Sequence, residues 1–288
     1  MAHTQVGFLT AAETGITVDD QRGIAALNKI GISVAPVIWD QPSPLAPETP
    51  LIFRSCWDYH FKREKFAALL EEWQRTKRPV FNPPSVAIWN FNKTYLEALR
   101  TAGFSVPRTV WLEAGGQYDL ETVLRKNDLN EVVIKPAVSM NGDDTWRSNV
   151  KDAHKTQSQL EALRDRRVMI QEFLPEILTS GEFSFVFFNG KFSHAVQKTP
   201  QANEFRIHQD RGGTFKQVHP SANALAKAEK ILRFEKETLL YARVDVLPVG
   251  DNFVVMELEF LDPSLYLKYD PEAAMRFAQA VKERIAVL

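Results

Sequence analysis

Three acidic residues near the C-terminal end of this 288-residue chain, Asp245, Glu257 and Glu259, lie in two apolar stretches predicted as strands. The first stretch runs 239–247 and the second 253–260, with the turn Pro248-Val249-Gly250-Asp251-Asn252 between them. Side chains alternate along a strand, so Glu257 and Glu259 point one way while Val254, Met256, Leu258 and Phe260 point the other way, toward a core. Two like charges on one face repel, and a cation between them would relieve the repulsion. Oxygen-only donors on a rigid sheet suit Mg²⁺, which keeps several waters and takes a carboxylate or two with a nucleotide's phosphates. A solvated outer sheet face would carry the same residues, and the hairpin alone does not choose between the two.

Further candidates lie upstream. The segment Glu131-Val-Val-Ile-Lys135-Pro136 is a strand ending in lysine, followed by a polar loop that holds Ser139, Asn141, Gly142 and Thr145. A lysine there can contact phosphate oxygens while loop N–H groups cover them, although the spacing is not that of a P-loop and a plain surface turn also fits. The strand Val168-Met-Ile-Gln171-Glu172 runs into the linker Phe173-Leu174-Pro175, and Gly181-Glu182 opens the next strand. Such a linker can offer backbone groups to an adenine edge and a carboxylate to ribose hydroxyls. Lys198, Arg206 and Arg211 follow, the last beside Gly212-Gly213, where an anionic intermediate could be clamped. A solvated loop accounts for Arg211 equally well, whereas Lys198 ends an otherwise apolar hairpin face.

The elements that must position these residues fall into three units. Residues 6–10, 34–38 and 51–54 read as strands and residues 20–30 as a helix, which predicts a small parallel-sheet unit over 1–84. Prolines between Gln41 and Pro50 mark a connector, and 61–77 reads as a helix. An α+β unit is expected over 85–167, with helices at 93–101 and 120–126, an extended segment at 106–112 and a strand at 131–135. A third unit over 168–288 starts with the strand at 168–172. Its hairpin, 183–188 with 191–198, turns at Asn189-Gly190, a pair suited to the positive φ angles of a two-residue turn. That turn predicts pairing of Phe187 with Phe192, Phe185 with His194 and Phe183 with Val196. Helices at 221–238 and 271–287 complete the unit.

Lys+Arg of 35 against Asp+Glu of 36 leaves a formal net charge of -1, so no global field favours nucleic acid or an anionic membrane. One cysteine, Cys56, excludes an intrachain disulfide and fits a reducing cytosol. No apolar run approaches the roughly 18 residues of a membrane span, and Met1–Asp20 lacks a basic start followed by an apolar stretch. The expectation is a soluble, cytoplasmic protein acting on a small molecule, with Cys56 structural. The six histidines show no metal-ligand spacing.

The ordered series Asn92-Lys93, Val-Ile-Lys135-Pro, Gln171-Glu-Phe-Leu, Gly-Glu182, Glu204-Phe-Arg206, Arg-Val-Asp245-Val and Met-Glu257-Leu-Glu259 resembles the ATP-grasp ligases, in particular their glutathione-synthetase-like branch. The resemblance covers about 82–267. Arg54-Ser-Cys-Trp57-Asp58-Tyr59-His, Phe81-Asn82-Pro83 and Glu259-Phe-Leu-Asp-Pro263-Ser264 are similar to the cycloserine-synthetase-like subgroup.

The resemblance implies an α/β and α+β architecture, in which an N-terminal parallel-sheet pre-ATP-grasp domain precedes a two-lobed ATP-grasp fold. It implies ATP and Mg²⁺ as cofactors. Lys93 and Lys135 would contact the ATP phosphates under a mobile loop that includes Ser139, Asn141, Gly142 and Thr145. Glu172 and Leu174 would meet adenine through their backbones with Phe173 between them, Gln171 would lie near the adenine amino group, and Glu182 would hold the ribose. Arg206, with Lys198 and Lys135, would neutralise the transferring phosphoryl group, and Asp245, Glu257 and Glu259 would bind one or two Mg²⁺. Many members carry asparagine at the position of Glu259.

The implied reaction activates an amino-acid-like carboxylate as an acyl phosphate and joins it to an amine-type nucleophile, releasing ADP and phosphate, with ring closure within one molecule as one form. Substrate binding is expected at Arg54, Trp57, Asp58, Tyr59 and Ser264. A dimer or tetramer is a further expectation from the family. A nucleotide-binding protein without ligase activity and a small-molecule kinase are the alternatives.

Overall fold

The computed structural model describes residues 4–202, 204–207, 212–250 and 252–288. Arg211 and Asp251 lie outside the described residues. Chain order begins with β1 (Thr4–Thr10), α1 (Val18–Lys29), β2 (Ile32–Ile38), β3 (Leu51–Ser55), α2 (Arg63–Thr76) and β4 (Val80–Phe81). These strands form a parallel sheet of order β2-β1-β3-β4, with β4 as an edge strand beyond those the sequence predicts. Thr17 and Asp20 start α1 with a reciprocal capping box, which satisfies two donors that the first turn leaves unpaired.

Next come α3 (Pro84–Phe91), α4 (Tyr95–Thr101), β5 (Thr109–Leu112), α5 (Leu120–Lys126), β6 (Glu131–Pro136), β7 (Trp146–Asn149), α6 (Ala153–Ala162), β8 (Val168–Glu172) and α7 (Glu176–Thr179). Strands β5 to β8 make an antiparallel sheet of order β5-β8-β6-β7 with its own core, including Leu124, Ile134, Leu160 and Ile170. The strand expected to open the third unit thus sits inside the second sheet, pairing with both β5 and β6. We accordingly propose that the break between these units follows Glu172 rather than preceding Val168.

The chain ends with β9 (Glu182–Phe188), β10 (Lys191–Thr199), β11 (Thr214–Val218), α8 (Ala222–Leu232), β12 (Tyr241–Val249), β13 (Asn252–Glu259) and α9 (Ala273–Ile285). The five strands form an antiparallel sheet of order β11-β10-β9-β12-β13. Asn189 and Gly190, with φ of 46° and 74°, make the two-residue turn of the hairpin.

Two irregularities decide which way the side chains of this sheet point. Phe187 pairs with Phe192 as expected, but Val186 pairs with His194, Phe185 with Ala195 and Ser184 with Val196. Ser193 is an extra residue on β10, a bulge that moves every later pair by one and corrects the expected pairing of Phe185 with His194 and Phe183 with Val196. Lys198 therefore faces Glu182 across the strands and leaves the apolar face it was expected to end. A second bulge lies on β13, where Asp245 pairs with Glu257 but Val246 pairs with Val255. Met256 is the extra residue, so Val255 enters the core and Met256 turns to the other side, opposite to the expected alternation.

One face of the large sheet, with Phe185, Phe187, Val244 and Leu258, packs on Tyr95 and Leu99 of α4 and on Ala228 and Ile231 of α8. Part of the other face packs on the N-terminal sheet and α9, joining Val6, Phe8, Val186, Phe188, Tyr241 and Phe277 in one core. Asn82 seals this junction with its side-chain amide, donating to Tyr241 O at 2.7 Å and Phe260 O at 2.6 Å and accepting from Leu240 N at 2.7 Å. Among the described residues, no helix is long and apolar enough to cross a membrane.

Candidate active site

Where the outer face of the large sheet is left uncovered, it forms the floor of a cleft of about 280 Å³ beneath the small sheet. The register places Glu182, Ser184 and Lys198 on the same face as Arg243, Asp245, Glu257 and Glu259, because these residues pair directly across four adjacent strands. Lys93, Lys135, Gln171 and the loop residues Ser139, Asn141, Gly142 and Thr145 line the cleft from above, and Trp57, Tyr59 and Ser264 line one end. Val133, Ile177 and Met256 add apolar wall, the last turned inward by its bulge.

The charges in this cleft are ordered by specific contacts. Asp245 receives both arms of Arg243, with Nε to Oδ1 and Nη2 to Oδ2 each at 2.9 Å. Ser184 Oγ donates to Oδ1 at 2.6 Å and Lys198 Nζ to Oδ2 at 3.1 Å. Burial opposes ionisation of Asp245, but Arg243, Lys198 and the Ser184 hydroxyl outweigh it and hold the carboxyl far below its usual range. Lys198 also pairs with Glu182, and Arg243 also pairs with Glu259. Burial lowers the basicity of Lys198, yet Asp245 and Glu182 more than restore it, so the ammonium is retained.

At the other end of the carboxylate row, Lys93 Nζ lies 3.0 Å from Glu257 Oε1 and donates to Ser139 O at 2.8 Å. Burial resists ionisation of Glu257 but Lys93 and Lys135 prevail, lowering its pKa. Glu259 behaves in the opposite way: burial, with the nearby charges of Asp245 and Glu257, pushes it up to about 8 despite Arg243. Lys135 makes no hydrogen bond or ion pair among the described residues, and burial lowers its pKa, partly offset by Glu257. A half-buried ammonium without a partner among the described residues, beside a polar loop, is a preformed anion contact.

Several expected positions take a different place. Arg54 is buried at 2% exposure, with Nε to Asp20 Oδ1 at 2.8 Å, Nη2 to Pro263 O at 3.0 Å and its guanidinium over the Tyr241 ring. With Nη1 on Phe53 O at 3.4 Å as well, it braces α1 against the C-terminal loop and does not line the cleft. Asp58 accepts from Trp39 Nε1 at 2.5 Å and from Lys62 Nζ at 2.6 Å, and it does not line the cleft. Glu172, Phe173 and Leu174 flank the cleft without lining it; the N–H of Glu172 is bonded to Arg108 O and that of Phe173 to Glu131 O. Arg206 lines the cleft but is paired with Glu204, Nη2 to Oε2 at 2.8 Å. Cys56 is fully buried and burial pushes its thiol well up, which fits a structural role.

Arg243 was passed over as a functional residue, although it stands two positions before Asp245, where strand alternation puts both on one face. Asp262 was passed over as well. It is 4% exposed, lines the cleft and is pushed up to about 7 by burial.

Asp245, Glu257 and Glu259 are not drawn together as a metal cage, and among the described residues no group of three or more acidic, histidine or cysteine side chains forms one. Both oxygens of Asp245 are already committed to cations and a hydroxyl. The remaining oxygen donors fit an ion that completes its shell with waters and phosphate oxygens, as Mg²⁺ does.

Comparison with known proteins gives a consistent set of relatives. A family model described as the prokaryotic glutathione synthetase ATP-grasp domain matches residues 107–264, and one for the N-terminal domain of D-cycloserine synthetase DcsG matches residues 6–82. The cycloserine biosynthesis protein DcsG of Streptomyces lavendulae is 28% identical over 252 residues, covering 82% of this chain and 83% of that protein. A glutathione synthetase of Prochlorococcus marinus is also 28% identical, over 205 residues covering 68% of this chain and 61% of that protein. The crystal structure of D-cycloserine synthetase DcsG superimposes with a TM-score of 0.83 at 23% identity, covering 98% of this chain and 99% of that one.

Proposed function

We propose, from the premise that this chain belongs to the prokaryotic glutathione synthetase ATP-grasp family, that it activates a small amino-acid-like carboxylate with ATP and joins it to an amine-type nucleophile. ATP-dependent ligation is the activity of the family; the substrate class and the site roles are our reading. The observation that carries it is the row Glu182, Lys198, Asp245, Arg243, Glu259 and Glu257 on one sheet face, opposed by Lys93 and Lys135.

In the first step a substrate carboxylate oxygen attacks the γ-phosphorus of ATP, and ADP leaves with the electron pair of the broken P–O bond. In the second, the amine nitrogen attacks the acyl carbon, the C–O bond to phosphate breaks, phosphate leaves and the nitrogen gives up a proton. Such chemistry asks for positioning and charge neutralisation more than for a protein nucleophile. Lys93 and Lys135 grip the phosphates, which draws Lys93 from Glu257 and frees that carboxylate. Glu257 and Glu259 would then hold Mg²⁺, which supplies positive charge to the transferring phosphoryl group. Arg243, fixed by Asp245, presents its guanidinium at the site of reaction, with Arg206 approaching from the opposite wall.

Asp245 thus acts by orienting Arg243 and Lys198 rather than as a primary metal ligand. Glu182 would take the ribose hydroxyls, and Val133, Ile177 and Met256 the adenine faces. The loop carrying Ser139, Asn141, Gly142 and Thr145 would exclude water that would otherwise hydrolyse the acyl phosphate.

Ring closure within one substrate molecule is the specific form we propose, because the N-terminal unit matches the N-terminal domain of D-cycloserine synthetase. Purified protein with Mg²⁺, ATP and a panel of amino acids should release ADP and phosphate in step with amide formation. Release of AMP and pyrophosphate would overturn the acyl-phosphate route. A stable phosphorylated product would point instead to a kinase.

A further inference from the structure

The cleft is electrically lopsided. Its phosphate end holds Lys93 and Lys135, while its other end, under Trp57, contains a carboxylate, Asp262, that makes no ion pair among the described residues. Asp262 is 4% exposed, and its Oδ2 is buried without a hydrogen-bond partner among the described residues. The nearby cations are committed elsewhere: Arg54 to Asp20 and Pro263 O, and Arg243 to Asp245, Glu259 and Ser264 O. The Cys56 N–H supports the Asp262 carboxylate, and the Trp57 indole fixes the loop by donating Nε1 to Asp262 O at 3.1 Å. Burying a carboxylate this deeply with one oxygen unsatisfied costs free energy that a structural role does not recover. A ligand bringing a donor to that oxygen would recover it.

We propose that Asp262 is the specificity residue for the substrate's amino group, so that the acid this protein activates carries a primary amine beside the carboxylate that is phosphorylated. This rests on the ligase reading above and adds to it the residue that reads the amine. A ligand occupying the end lined by Trp57, Ser264 and Asp262 would set its carboxylate toward Arg243 and its ammonium toward Asp262. An anionic or purely apolar substituent at that point would leave the carboxylate unpaired. Sites built to hydrogen-bond a substrate group discriminate strongly against analogues that lack it.

The test uses the full-length protein with Mg²⁺, ATP and hydroxylamine, which traps any acyl phosphate as a hydroxamate. Matched acids are compared: alanine with propionate, serine with 3-hydroxypropionate, and 3-aminooxyalanine with 3-aminooxypropionate. The wild type should favour the amino member of a reactive pair by about 100-fold in kcat/KM, the scale expected when a buried polar group loses its partner. Asp262→Asn should lose most of that preference through KM for the amino acid, with ATP affinity unchanged. Equal use of amino and des-amino acids by the wild type would overturn the proposal whatever the variant does, as would a preference that survives in Asp262→Asn. If neither member of any pair releases ADP, the ligase reading itself fails, and this assignment falls with it.

Discussion

Asn82 offers a quantitative test of how the N-terminal unit is held on the catalytic sheet. Its side chain is fully buried and bridges three backbone groups, Tyr241 O, Phe260 O and Leu240 N, at 2.6 to 2.7 Å. Asn82→Ala removes all three bonds with no water to replace them, and at about 1–2 kcal/mol per lost bond the cost is roughly 3–6 kcal/mol. A left-handed backbone adds to this, since Asn82 has φ of 56°, a conformation that penalises alanine by about 1 kcal/mol. Asn82→Gly loses the same bonds without that penalty and should be about 1 kcal/mol more stable than Asn82→Ala. Asn82→Asp keeps the size of the side chain but turns an acceptor toward two carbonyls, and it should be worse than alanine at neutral pH. Urea unfolding followed by fluorescence of the six tryptophans would measure each difference. A loss below about 1 kcal/mol for Asn82→Ala, the net worth of a single bond, would refute the view that this residue fastens the two units.

Lys135→Met should leave stability unchanged or slightly raised, because the half-buried ammonium has no partner among the described residues; KM for ATP, measured by ADP release, should rise at least about tenfold. Asp143→Asn should raise phosphate release that is not matched by amide product, because Asp143 ties the polar loop to His60 Nε2 of the N-terminal unit at 3.1 Å. His194, buried, donates Nε2–H to Leu265 O and in its neutral form accepts at Nδ1 from the Ser193 hydroxyl, and its pKa is lowered by burial from the ordinary 6.5 to about 4. The unfolded chain therefore binds this proton first, and the stability contribution is complete above pH 6.5 and is lost as pH falls toward 4. The loss approaches about 3 kcal/mol, and His194→Gln should flatten that part of a thermal-denaturation profile against pH.

Much of this architecture is legible in the chain because its signals are local. The helix at 120–126 and the strand at 168–172 have the bounds expected from their apolar pattern, and the Asn189-Gly190 turn forms where its φ preferences put it. Lys93, Lys135, Glu182, Asp245, Glu257 and Glu259 are brought near one cleft, as the order of motifs implied. What was not legible depends on partners distant in the chain. Arg54 looked like a free cation at a strand end until Asp20 and Pro263 closed on it, and Asp58 was claimed by Trp39 and Lys62. The strand at 168–172, expected to open the third unit, pairs instead with β5 and β6, because strand pairing across 30 or more residues leaves no periodic trace. Arg243 was hidden in plain view, since its role depends on which residues meet it across β13.

The single-residue insertions at Ser193 and Met256 make the site sensitive to chain length as well as to residue identity. Deleting Ser193 itself would make the pairing regular and keep Lys198 opposite Glu182, but deleting any one residue of 194–197 with the bulge intact would change no residue of the cleft and yet rotate Lys198 away from Glu182 and Asp245 into the layer occupied by Phe185 and Phe187. In comparisons among relatives, then, a gap of one position between 194 and 198 that leaves the bulge in place would say more about whether the active site survives than a substitution at many of its lining residues. Sequence conservation measured column by column would overlook such a loss, because the lysine would still align.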